Sequence, residues 1–456
     1  MIGVNDLARV SQELGVPYSG PSVALGGLAI DSRKVQAGDL FVAAKGAQAD
    51  GHDYVEAAAA AGASAAMVER PVSASIPCIE VPNTLRAISK VGKLNRDAFV
   101  GPVIAITGSC GKTSVKNMCR AVFEQSGDTV ATVGNLNNEI GVPMTLSRID
   151  DDTRFAVVEM GAAGRGHIAH LCDLARPGIS TVLNATEAHL EGFGSVADVA
   201  DIKAEIFDQL GSSGVGVVNL DQPWSATWSN RVASAGAACL DFSAEQHADV
   251  YATEVAADGP ACMCFRLHWD GHSEEVSLPV PGSHSVSNAL ATAALALAAG
   301  LSFDEVVTGL SRVEGEAGRL QVSELPGRVK LVDDSYNANP GSVRVAIRYL
   351  AANYQRPALI LGEMLELGSE SEALHAEMGQ LASQAGITRF IGVGAMLAPA
   401  VTSFGAGAEL CETQEAIDGL LAGLLEDCDA VLVKGSRGAA MENVVARIRK
   451  FAKGRG

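Results

Sequence analysis

The sequence predicts an α/β fold in three domains: a small mixed α/β N-terminal domain, a central parallel-sheet domain and a C-terminal Rossmann-like domain. The chain has 456 residues, which is enough for about three domains of ~150 residues each. Short apolar runs alternate with helical stretches twice, first from Val103 and again from Val329. This alternation is typical of parallel sheets covered by helices on both faces. We place the domains at residues 1–98, 99–313 and 314–456.

The central segment starts with the apolar run 103–106, which indicates a buried strand. A glycine-rich turn follows, and then Val115, Met118, Val122 and Phe123 recur at helical spacing. We expect antiparallel strands near 240–280. Other buried strands are expected at residues 155–158, 179–183, 215–219, 329–332, 358–361, 390–393 and 430–433.

Composition and charge argue against one class of partner. Hydrophobic residues make up 48% and charged residues 19%, a balance typical of globular proteins. The net charge of -19 argues against a nucleic acid partner, because phosphate backbones need clustered Lys and Arg. It does not exclude a small anionic substrate bound in one locally positive site.

The cysteines, the N-terminal residues and the longest apolar run predict where in the cell the protein lies. The nine cysteines follow no zinc or redox spacing, which favours reduced thiols and the cytoplasm. Residues 1–14 have polar residues throughout and no apolar signal core. The longest apolar run, 289–301, is too short to span a bilayer and is interpreted as a buried helix. We expect a cytoplasmic monomer with no integral membrane association.

The glycine-rich turn has the context of a phosphate-binding loop, since a strand leads into it and a helix leaves it. Its glycines allow backbone amides to point at phosphate oxygens, and the helix N-terminus adds a partial positive charge. Lys112 is suited to neutralise β- and γ-phosphates, and the Thr113 hydroxyl to bind Mg²⁺. Ile106 stands where the longer loop has its first glycine, so a chance Gly-Lys-Thr turn is the alternative. The loop consists of Thr107, Gly108, Ser109, Cys110, Gly111, Lys112, Thr113 and Ser114.

This shortened loop resembles that of the Mur ligases and folylpolyglutamate synthetases, and further blocks follow in the order of that family. The resemblance covers nearly the whole chain. It makes the central domain a P-loop-type ATPase domain. The blocks are Gly134-Asn135-Leu136-Asn137-Asn138-Glu139, Glu159-Met160-Gly161, His189-Leu190-Glu191-Gly192, Lys203-Ala204-Glu205-Ile206-Phe207, Pro281-Gly282-Ser283-His284, Gly318-Arg319, Asp333-Asp334-Ser335-Tyr336-Asn337-Ala338-Asn339-Pro340, Leu361-Gly362-Glu363-Met364 and Lys434-Gly435-Ser436-Arg437.

The N-terminal segment, with Asp31-Ser32-Arg33 and Asp50-Gly51-His52, resembles the UDP-binding domain of two Mur ligase types. Those types add the third peptide residue or the D-alanyl-D-alanine dipeptide. The Asp-Ser-Tyr-Asn-Ala-Asn-Pro block is close to the dipeptide-adding type. The Asp-Asn-Pro-Arg motif usual in the diaminopimelate-adding type does not occur here.

The resemblance implies an ATP-dependent, ADP-forming carboxylate–amine ligase. Its substrates would be UDP-N-acetylmuramoyl tripeptide and D-alanyl-D-alanine, joined through an acyl phosphate, with ATP and Mg²⁺ as cofactors. Catalysis of such phosphoryl transfer is mostly positioning and charge neutralisation. Lysine and diaminopimelate at the third peptide position are both compatible with the sequence.

The family's metal and catalytic residues correspond to Thr113, Glu159, His189 and Lys203, with Lys112 on the phosphates. Glu159 ends a predicted strand beside the loop, where a surface Glu is the alternative. His189 has the alternative of a structural histidine. Lys203 falls within the apolar stripe of Val199, Ile206 and Leu210 at helical spacing.

Burial lowers a lysine pKa, and a neutral amine adds CO₂ to give a carbamate. The family segment carries this modification on its lysine, and the carbamate would help to bind the second Mg²⁺. The alternative is a lysine that reaches solvent or pairs with Asp201 or Glu205.

The remaining candidates bind nucleotide or substrate by resemblance. For ATP these are Asn288, Arg319, Asp334 and Asn337, and Asn288 could instead cap its helix. Asn339 and Asn337 could equally form an ordinary turn. For the UDP substrate they are Ser32, Arg33, Lys45, Asn135, Asn137 and Asn138, with His52 as a weaker candidate and a turn cluster as the alternative for the asparagines.

The sequence departs from the family pattern at Ala163, His167 and Ser285, where Asn, Glu and Asn are usual. These departures motivate one competing hypothesis, a non-catalytic paralogue. Two others are a Mur-type ligase that adds a single amino acid and a P-loop kinase or NTPase. A folate ligase is disfavoured because it lacks the UDP-type N-terminal domain.

Overall fold

The protein is described by a computed structural model that covers residues 1–46, 49–187 and 194–454. Within these ranges the strands form three sheets, of four, nine and six strands, which follow one another along the chain. The predicted three-part α/β architecture is confirmed.

The first sheet is small and parallel, with its strands in chain order. Its longest helix begins after Asn83, whose side chain accepts a hydrogen bond from the Arg86 amide and so caps the first turn. Ile88 and Val91 of that helix are buried against the sheet. The elements are β1 (Gly27–Ala29), β2 (Asp39–Val42), β3 (Ala65–Val68), β4 (Cys78–Glu80), α1 (Leu7–Leu14), α2 (Val55–Ala60) and α3 (Thr84–Ala98).

The central sheet has the order β13-β12-β11-β10-β9-β8-β5-β7-β6. Neighbours from β6 to β11 are parallel, and β11, β12 and β13 are antiparallel. The expected antiparallel strands near 240–280 are thus present, as an extension of the main sheet. The strands are β5 (Val103–Thr107), β6 (Thr129–Ala131), β7 (Phe155–Glu159), β8 (Ile179–Val182), β9 (Val215–Asn219), β10 (Ala238–Ser243), β11 (Val250–Asp258), β12 (Cys262–Trp269) and β13 (His272–Leu278).

Helices cover both faces of this sheet because alternate residues of a buried strand point in opposite directions. Ile104 and Ile106 of β5 join the core under α4 (Lys112–Phe123), α9 (Ser283–Ala298) and α10 (Phe303–Leu310). Val103 and Ala105 join the core on the opposite face. The helices there are α5 (Gly141–Ser147), α6 (His167–Ala175), α7 (Val196–Ala204) and α8 (Ser225–Ser234).

The C-terminal sheet has the order β14-β15-β19-β16-β17-β18 and is parallel except for the edge strand β14. Its four predicted strands are β15, β16, β17 and β19. The elements are β14 (Gln321–Glu324), β15 (Lys330–Asp334), β16 (Pro357–Gly362), β17 (Arg389–Val393), β18 (Ala408–Cys411), β19 (Ala430–Lys434), α11 (Pro340–Asn353), α12 (Ser371–Gln384), α13 (Ala398–Phe404), α14 (Leu421–Asp427) and α15 (Glu442–Lys453).

The apolar run 289–301 lies largely in α9, where nearly every side chain is buried. The interpretation as a core helix is therefore confirmed. None of the helices in the described part of the chain has the length and apolarity that a bilayer crossing requires.

A buried polar joint connects the N-terminal and central sheets. Arg148, just after α5, donates through Nη1 to Oδ1 of Asp39 at 2.6 Å and through Nη2 to Oδ2 at 2.8 Å. The Asp39 side chain is 0% exposed. Asn95 of α3 donates through Nδ2 to the carbonyls of Leu146 and Ile149. The two parts are thus joined by buried side chains that hydrogen-bond across their boundary.

Candidate active site

A cavity of about 850 Å³ lies between the central and C-terminal sheets. In the described ranges its lining residues all fall between Ser109 and Gly438. They come from the phosphate loop, the end of β7, the first turns of α9 and the loops that follow β15 and β19. Carboxyl ends of parallel strands from both sheets therefore face one space, the usual ligand position in open α/β sheets.

The phosphate loop has the predicted strand–loop–helix geometry. β5 ends at Thr107, and α4 begins at Lys112 after Gly111, whose φ of +84° favours glycine. The Lys112 ammonium donates to the Gly108 carbonyl at 2.7 Å, which holds it over the loop. Burial lowers the pKa of Lys112, against the opposing effect of nearby Glu159. The cation and the loop amides therefore face the same small volume.

A second loop, residues 183–187 after β8, braces the phosphate loop. This loop was not predicted from the sequence, in which its only signal is three polar residues after a predicted strand. The Asn184 side chain accepts from the Cys110 amide at 2.9 Å and donates to the Cys110 carbonyl at 3.1 Å. The Thr186 amide donates to the Ser109 hydroxyl at 3.0 Å. These hydrogen bonds hold the backbone of the phosphate loop in position at Ser109 and Cys110.

Glu159 ends β7 beside the loop and is 2% exposed, so the alternative of a surface Glu is wrong. Its Oε1 accepts from the Asn137 side chain at 2.7 Å. Its Oε2 is buried and has no hydrogen-bond partner among the described residues. A buried carboxylate oxygen that lacks a donor fits a hard cation such as Mg²⁺.

The protein side chains alone would not complete such a cation site. Among the described residues, no group of three or more His, Cys, Asp and Glu side chains is arranged to bind a metal. Mg²⁺ usually takes one or two carboxylates and completes its shell with water and substrate phosphates. Thr113, which is buried in the first turn of α4, offers a hydroxyl in the same region.

Lys203 lies on α7 and lines the cavity with a side chain that is 2% exposed. Val199 and Ile206 are also buried, as the apolar stripe predicts. Burial, together with the charge of Lys112, lowers the pKa of Lys203 to about 7. The ammonium of Lys203 is therefore costly at this position.

One of the two alternatives for Lys203 does not fit this geometry. Its burial contradicts a side chain that reaches solvent. Asp201 binds Arg165 at 2.6 Å and Arg231 at 2.8 Å. Glu205 accepts from backbone amides at the start of α6. Both neighbouring carboxylates thus have other partners. His189, the residue expected beside Lys203, lies outside the described residues.

The three asparagines after β6 differ in their contacts. Asn137 holds Glu159, and its carbonyl accepts from the Gly161 amide at 2.8 Å. Asn138 accepts from the Gly141 amide at 3.0 Å, at the start of α5, so it has the turn role that was the alternative. Asn135 is exposed at the cavity.

Asn288 is not a helix cap, so that alternative is wrong. α9 begins at Ser283, which puts Asn288 in the second turn. A Cβ added to Gly111 would lie 2.8 Å from Oδ1 of Asn288, so the amide touches the phosphate loop. One turn earlier, burial lowers the pKa of His284 to about 4, and the charge of Lys434 from the C-terminal sheet acts in the same direction.

Candidates on the C-terminal side surround a buried ion pair. Asp334 accepts from Lys434 at 2.6 Å and from the Leu320 amide at 3.2 Å. The Arg319 guanidinium lies over the Tyr336 ring, 4.3 Å from its centroid. Arg319, Asp334 and Tyr336 all line the cavity.

The two asparagines of the block after β15 organise backbone. Asn337 accepts from the Arg437 amide at 3.1 Å and joins two loops. Asn339 caps α11 in a reciprocal pair with Ser342, which is the turn role. Asn339 also accepts from the Cys110 thiol at 3.3 Å, so the cap contacts the phosphate loop.

The N-terminal candidates lie apart from this cavity. Asp31 caps the 3-10 helix Ser32–Lys34 and binds Arg33 through both carboxylate oxygens, which lowers the pKa of Asp31 to about 2. Arg33 and Lys45 are exposed. His52 is buried between Asp50 and the Glu69 amide, so both ring nitrogens have structural partners.

The departures from the family pattern are accommodated locally. Nδ1 of His167 accepts from the Ala163 amide at 3.0 Å, so Nε2 carries the proton that faces Glu139 at 3.1 Å. Ser285 donates to the Pro281 carbonyl at 2.6 Å, inside the first turn of α9. The loop after β7 and the start of α9 are thus closed by their own hydrogen bonds.

Comparison with known proteins finds the same family that the sequence motifs indicate. Three family models match in order: the Mur ligase family catalytic domain at 25–93, the Mur ligase middle domain at 106–296 and the Mur ligase glutamate ligase domain at 318–437. The UDP-N-acetylmuramoyl-tripeptide–D-alanyl-D-alanine ligase of Escherichia coli (strain K12) is 39% identical over 99% of both chains. The chain belongs to the Mur ligase family.

Solved structures agree with this assignment. The crystal structure of MurF from Acinetobacter baumannii superposes on this Mur ligase with a TM-score of 0.88, at 30% identity, over 98% of this chain and 100% of that one. MurF ligase from Thermotoga maritima, solved in complex with ADP, gives 0.78 at 26% identity over 94% and 98% of the two chains. The resemblance found in the sequence is therefore confirmed, and so is the fold.

Proposed function

We propose that this Mur ligase joins D-alanyl-D-alanine to UDP-N-acetylmuramoyl tripeptide in an ATP-dependent, ADP-forming reaction of peptidoglycan precursor synthesis. The observation that carries the proposal is the 39% identity, over 99% of both chains, to a relative that bears this name. The cavity between a phosphate loop and a Rossmann-like sheet supports it, because a ligase must bring ATP, a carboxylate and an amine together.

The reaction has two steps. A carboxylate oxygen of the tripeptide attacks the γ-phosphorus of ATP, so that the bond to the β-phosphate oxygen breaks and ADP leaves. The amine of the dipeptide then attacks the carbonyl carbon of the acyl phosphate. An amide bond forms, phosphate leaves and the amine loses a proton.

The phosphate loop is assigned to the transferred phosphate. Lys112 offsets the negative charge that moves from the γ-phosphate to the leaving oxygen, and the amides at the start of α4 bind phosphate oxygens. The loop after β8 holds the backbone that leads into these amides through Asn184 and Thr186. Preorganised donors of this kind stabilise charge without rearrangement during the reaction.

The residues at the end of β7 are assigned to Mg²⁺. Glu159 and Thr113 fit the first ion, since Oε2 of Glu159 is a buried acceptor without a donor. Lys203 as a carbamate and His189 are assigned to a second ion. Bound Mg²⁺ would neutralise phosphate oxygens. Lys203 supports its assignment by being buried, with a lowered pKa that favours the amine form that adds CO₂.

The nucleoside end of ATP is assigned to Asn288, Arg319, Asp334 and Asn337. All four line the cavity. Arg319 presents a planar fork suited to phosphate, and its guanidinium lies over the Tyr336 ring. Because Asp334 is paired with Lys434, its free lone pairs are the ones available to ribose hydroxyls.

We assign residues 1–98 to the UDP end of the nucleotide peptide, 99–313 to ATP and 314–456 to the dipeptide. The exposed Arg33, oriented by Asp31, supports the first assignment. Arg33→Ala should raise KM for the nucleotide tripeptide about tenfold and leave KM for D-alanyl-D-alanine unchanged. Equal changes in both constants would contradict the assignment.

We also assign the enzyme to the cytoplasm, as a monomer.

One assay tests the function. ADP release is measured with ATP and the nucleotide tripeptide, adding D-alanyl-D-alanine in one arm and single L-amino acids in another. Turnover is expected only in the dipeptide arm. Turnover with an L-amino acid would identify a ligase that adds one residue. ATP hydrolysis at full rate without either substrate would identify a simple NTPase.

A further inference from the structure

One arginine connects the C-terminal domain to the loop that braces the phosphate loop. Arg344 lies in the second turn of α11 and donates through Nη1 to Oε2 of Glu187 at 2.9 Å. Its Nε and Nη2 donate to the carboxylate of Glu377 on α12, at 2.9 to 3.0 Å. One guanidinium thus bridges a carboxylate in the loop after β8 of the central domain and a carboxylate on α12 of the C-terminal domain.

Glu377 orients this arginine. It takes the Nε and Nη2 edge of the fork from inside the C-terminal domain, so the remaining Nη1 points at the central domain. A planar guanidinium has this fixed fork, whereas a lysine would offer a single point charge. Arg344 is 23% exposed and Glu187 30%, so the pair is only partly screened by solvent.

Glu187 ends the described part of the bracing loop, whose other members hold the phosphate loop. Asn184 and Thr186 bind Cys110 and Ser109, as described above. The segment 184–187 therefore links the Arg344 bridge to the phosphate loop. Burial opposes ionisation of Glu187, but the hydrogen bond from Arg344 holds its pKa below the ordinary value.

The start of α11 makes two further contacts with the same loops. The Cys110 thiol donates to Asn339, the helix cap, at 3.3 Å. A Cβ added to Gly341 would lie 2.9 Å from Oγ1 of Thr186, so the helix backbone packs directly on the bracing loop. The first two turns of α11 thus contact the phosphate loop once and its brace twice.

We propose that Arg344 is a positioning residue that couples docking of the C-terminal domain to the geometry of the phosphate loop. When α11 docks, Arg344 fixes Glu187, the bracing loop holds Ser109 and Cys110, and the amides at the start of α4 face the transferred phosphate. The coupling lets phosphoryl transfer proceed at full rate only when the amine-binding domain is in place. This proposal rests on the function proposed above.

The test compares Arg344→Met with Arg389→Met. Arg389 is a matched control, because it is 24% exposed and also bridges two carboxylates, Glu409 and Asp427, entirely within the C-terminal domain. Steady-state constants for all three substrates and the melting temperature are measured for both variants and for the wild type.

Arg344→Met should raise KM for ATP and lower kcat, so that kcat/KM for ATP falls about tenfold, as expected for loss of one coupled pair. KM for the nucleotide tripeptide should stay unchanged. Glu187→Gln should give a similar loss, and the double variant should be no worse than either single variant. Arg389→Met should keep its constants within about twofold of the wild type.

Three results would overturn the coupling. These are wild-type constants in Arg344→Met, equal losses in Arg344→Met and Arg389→Met, or losses that add in the double variant. Failure of the proposed function is seen separately, since the wild type itself would then not release ADP with the tripeptide and dipeptide.

Discussion

The two joints between the three sheets are built differently. The joint between the N-terminal and central sheets places Arg148 on a carboxylate that is fully buried, with Asn95 satisfied by backbone of the other part. A Cβ added to Gly92 there would lie 2.6 Å from Cα of Pro143. The joint between the central and C-terminal sheets contains a cavity of about 850 Å³ and a bridge whose partners are a quarter to a third exposed.

We call the joint between the N-terminal and central sheets the structural joint, and the joint between the central and C-terminal sheets the working joint. At the first joint the carboxylate is excluded from water, so it cannot be left without its partner at low cost. Charges at a hydrated cleft can part and be solvated, which suits a boundary that opens for substrates. We therefore expect substitutions at the first joint to reduce stability, and substitutions at the second to reduce turnover.

The largest expected effect is at the working joint. Lys112→Ala should lower kcat by about a thousandfold or more, because a phosphate-binding cation stabilises charge in the transition state. The melting temperature should change little, since the variant removes a buried charge. ADP release with all substrates measures the rate. Arg120→Ala, on the exposed side of the same helix, is the control and should remain active.

Lys203→Ala should also be nearly inactive if the carbamate is right, because the group that would bind the second Mg²⁺ is lost. Acetate or formate should restore part of the rate, since a short carboxylate can occupy the space of the carbamate. Lys112→Ala should show no such rescue and serves as the control. A Lys203→Ala enzyme with near-normal turnover would end the carbamate assignment.

The structural joint should respond in the opposite way. Arg148→Met leaves Asp39 as a buried, uncompensated charge and should cost about 3–5 kcal/mol of stability. The folded variant should keep kcat within a few-fold of the wild type at low temperature. Denaturant unfolding and ADP release measure the two quantities. Asp39→Asn combined with Arg148→Met should recover part of the stability, because the unpaired charge is removed.

The sequence predicted the features of the fold and site that depend on residues close together in the chain. The loop between β5 and α4, the carboxylate at the end of β7 and the burial of Lys203 follow from strand and helix periodicity, which the sequence displays. The alternative for Asn288, a helix cap, is wrong because helix boundaries are set by tertiary contacts, and α9 begins five residues earlier. Asn184 and Arg344 were missed because their partners, Cys110 and Glu187, are far away in sequence.

The smallest expected effect concerns His284, which faces the working joint from the first turn of α9. Burial, aided by the charge of Lys434 across the joint, lowers its pKa to about 4 in the folded protein, whereas an unfolded histidine titrates near ~6.5. Between these values the unfolded chain binds a proton that the folded protein does not. Stability contributed by neutral His284 is therefore complete above the unfolded pKa and declines as the pH falls toward 4. His284→Gln removes this dependence, while all other groups titrate as before. On going from pH 7 to pH 5, the melting temperature of the wild type should fall by a few degrees more than that of the variant. The exposed His272 provides the control, because His272→Gln should follow the wild type. Parallel curves for the wild type and His284→Gln would mean that the cavity admits enough water to solvate an imidazolium, and the contrast between the two joints would then rest on their ion pairs alone.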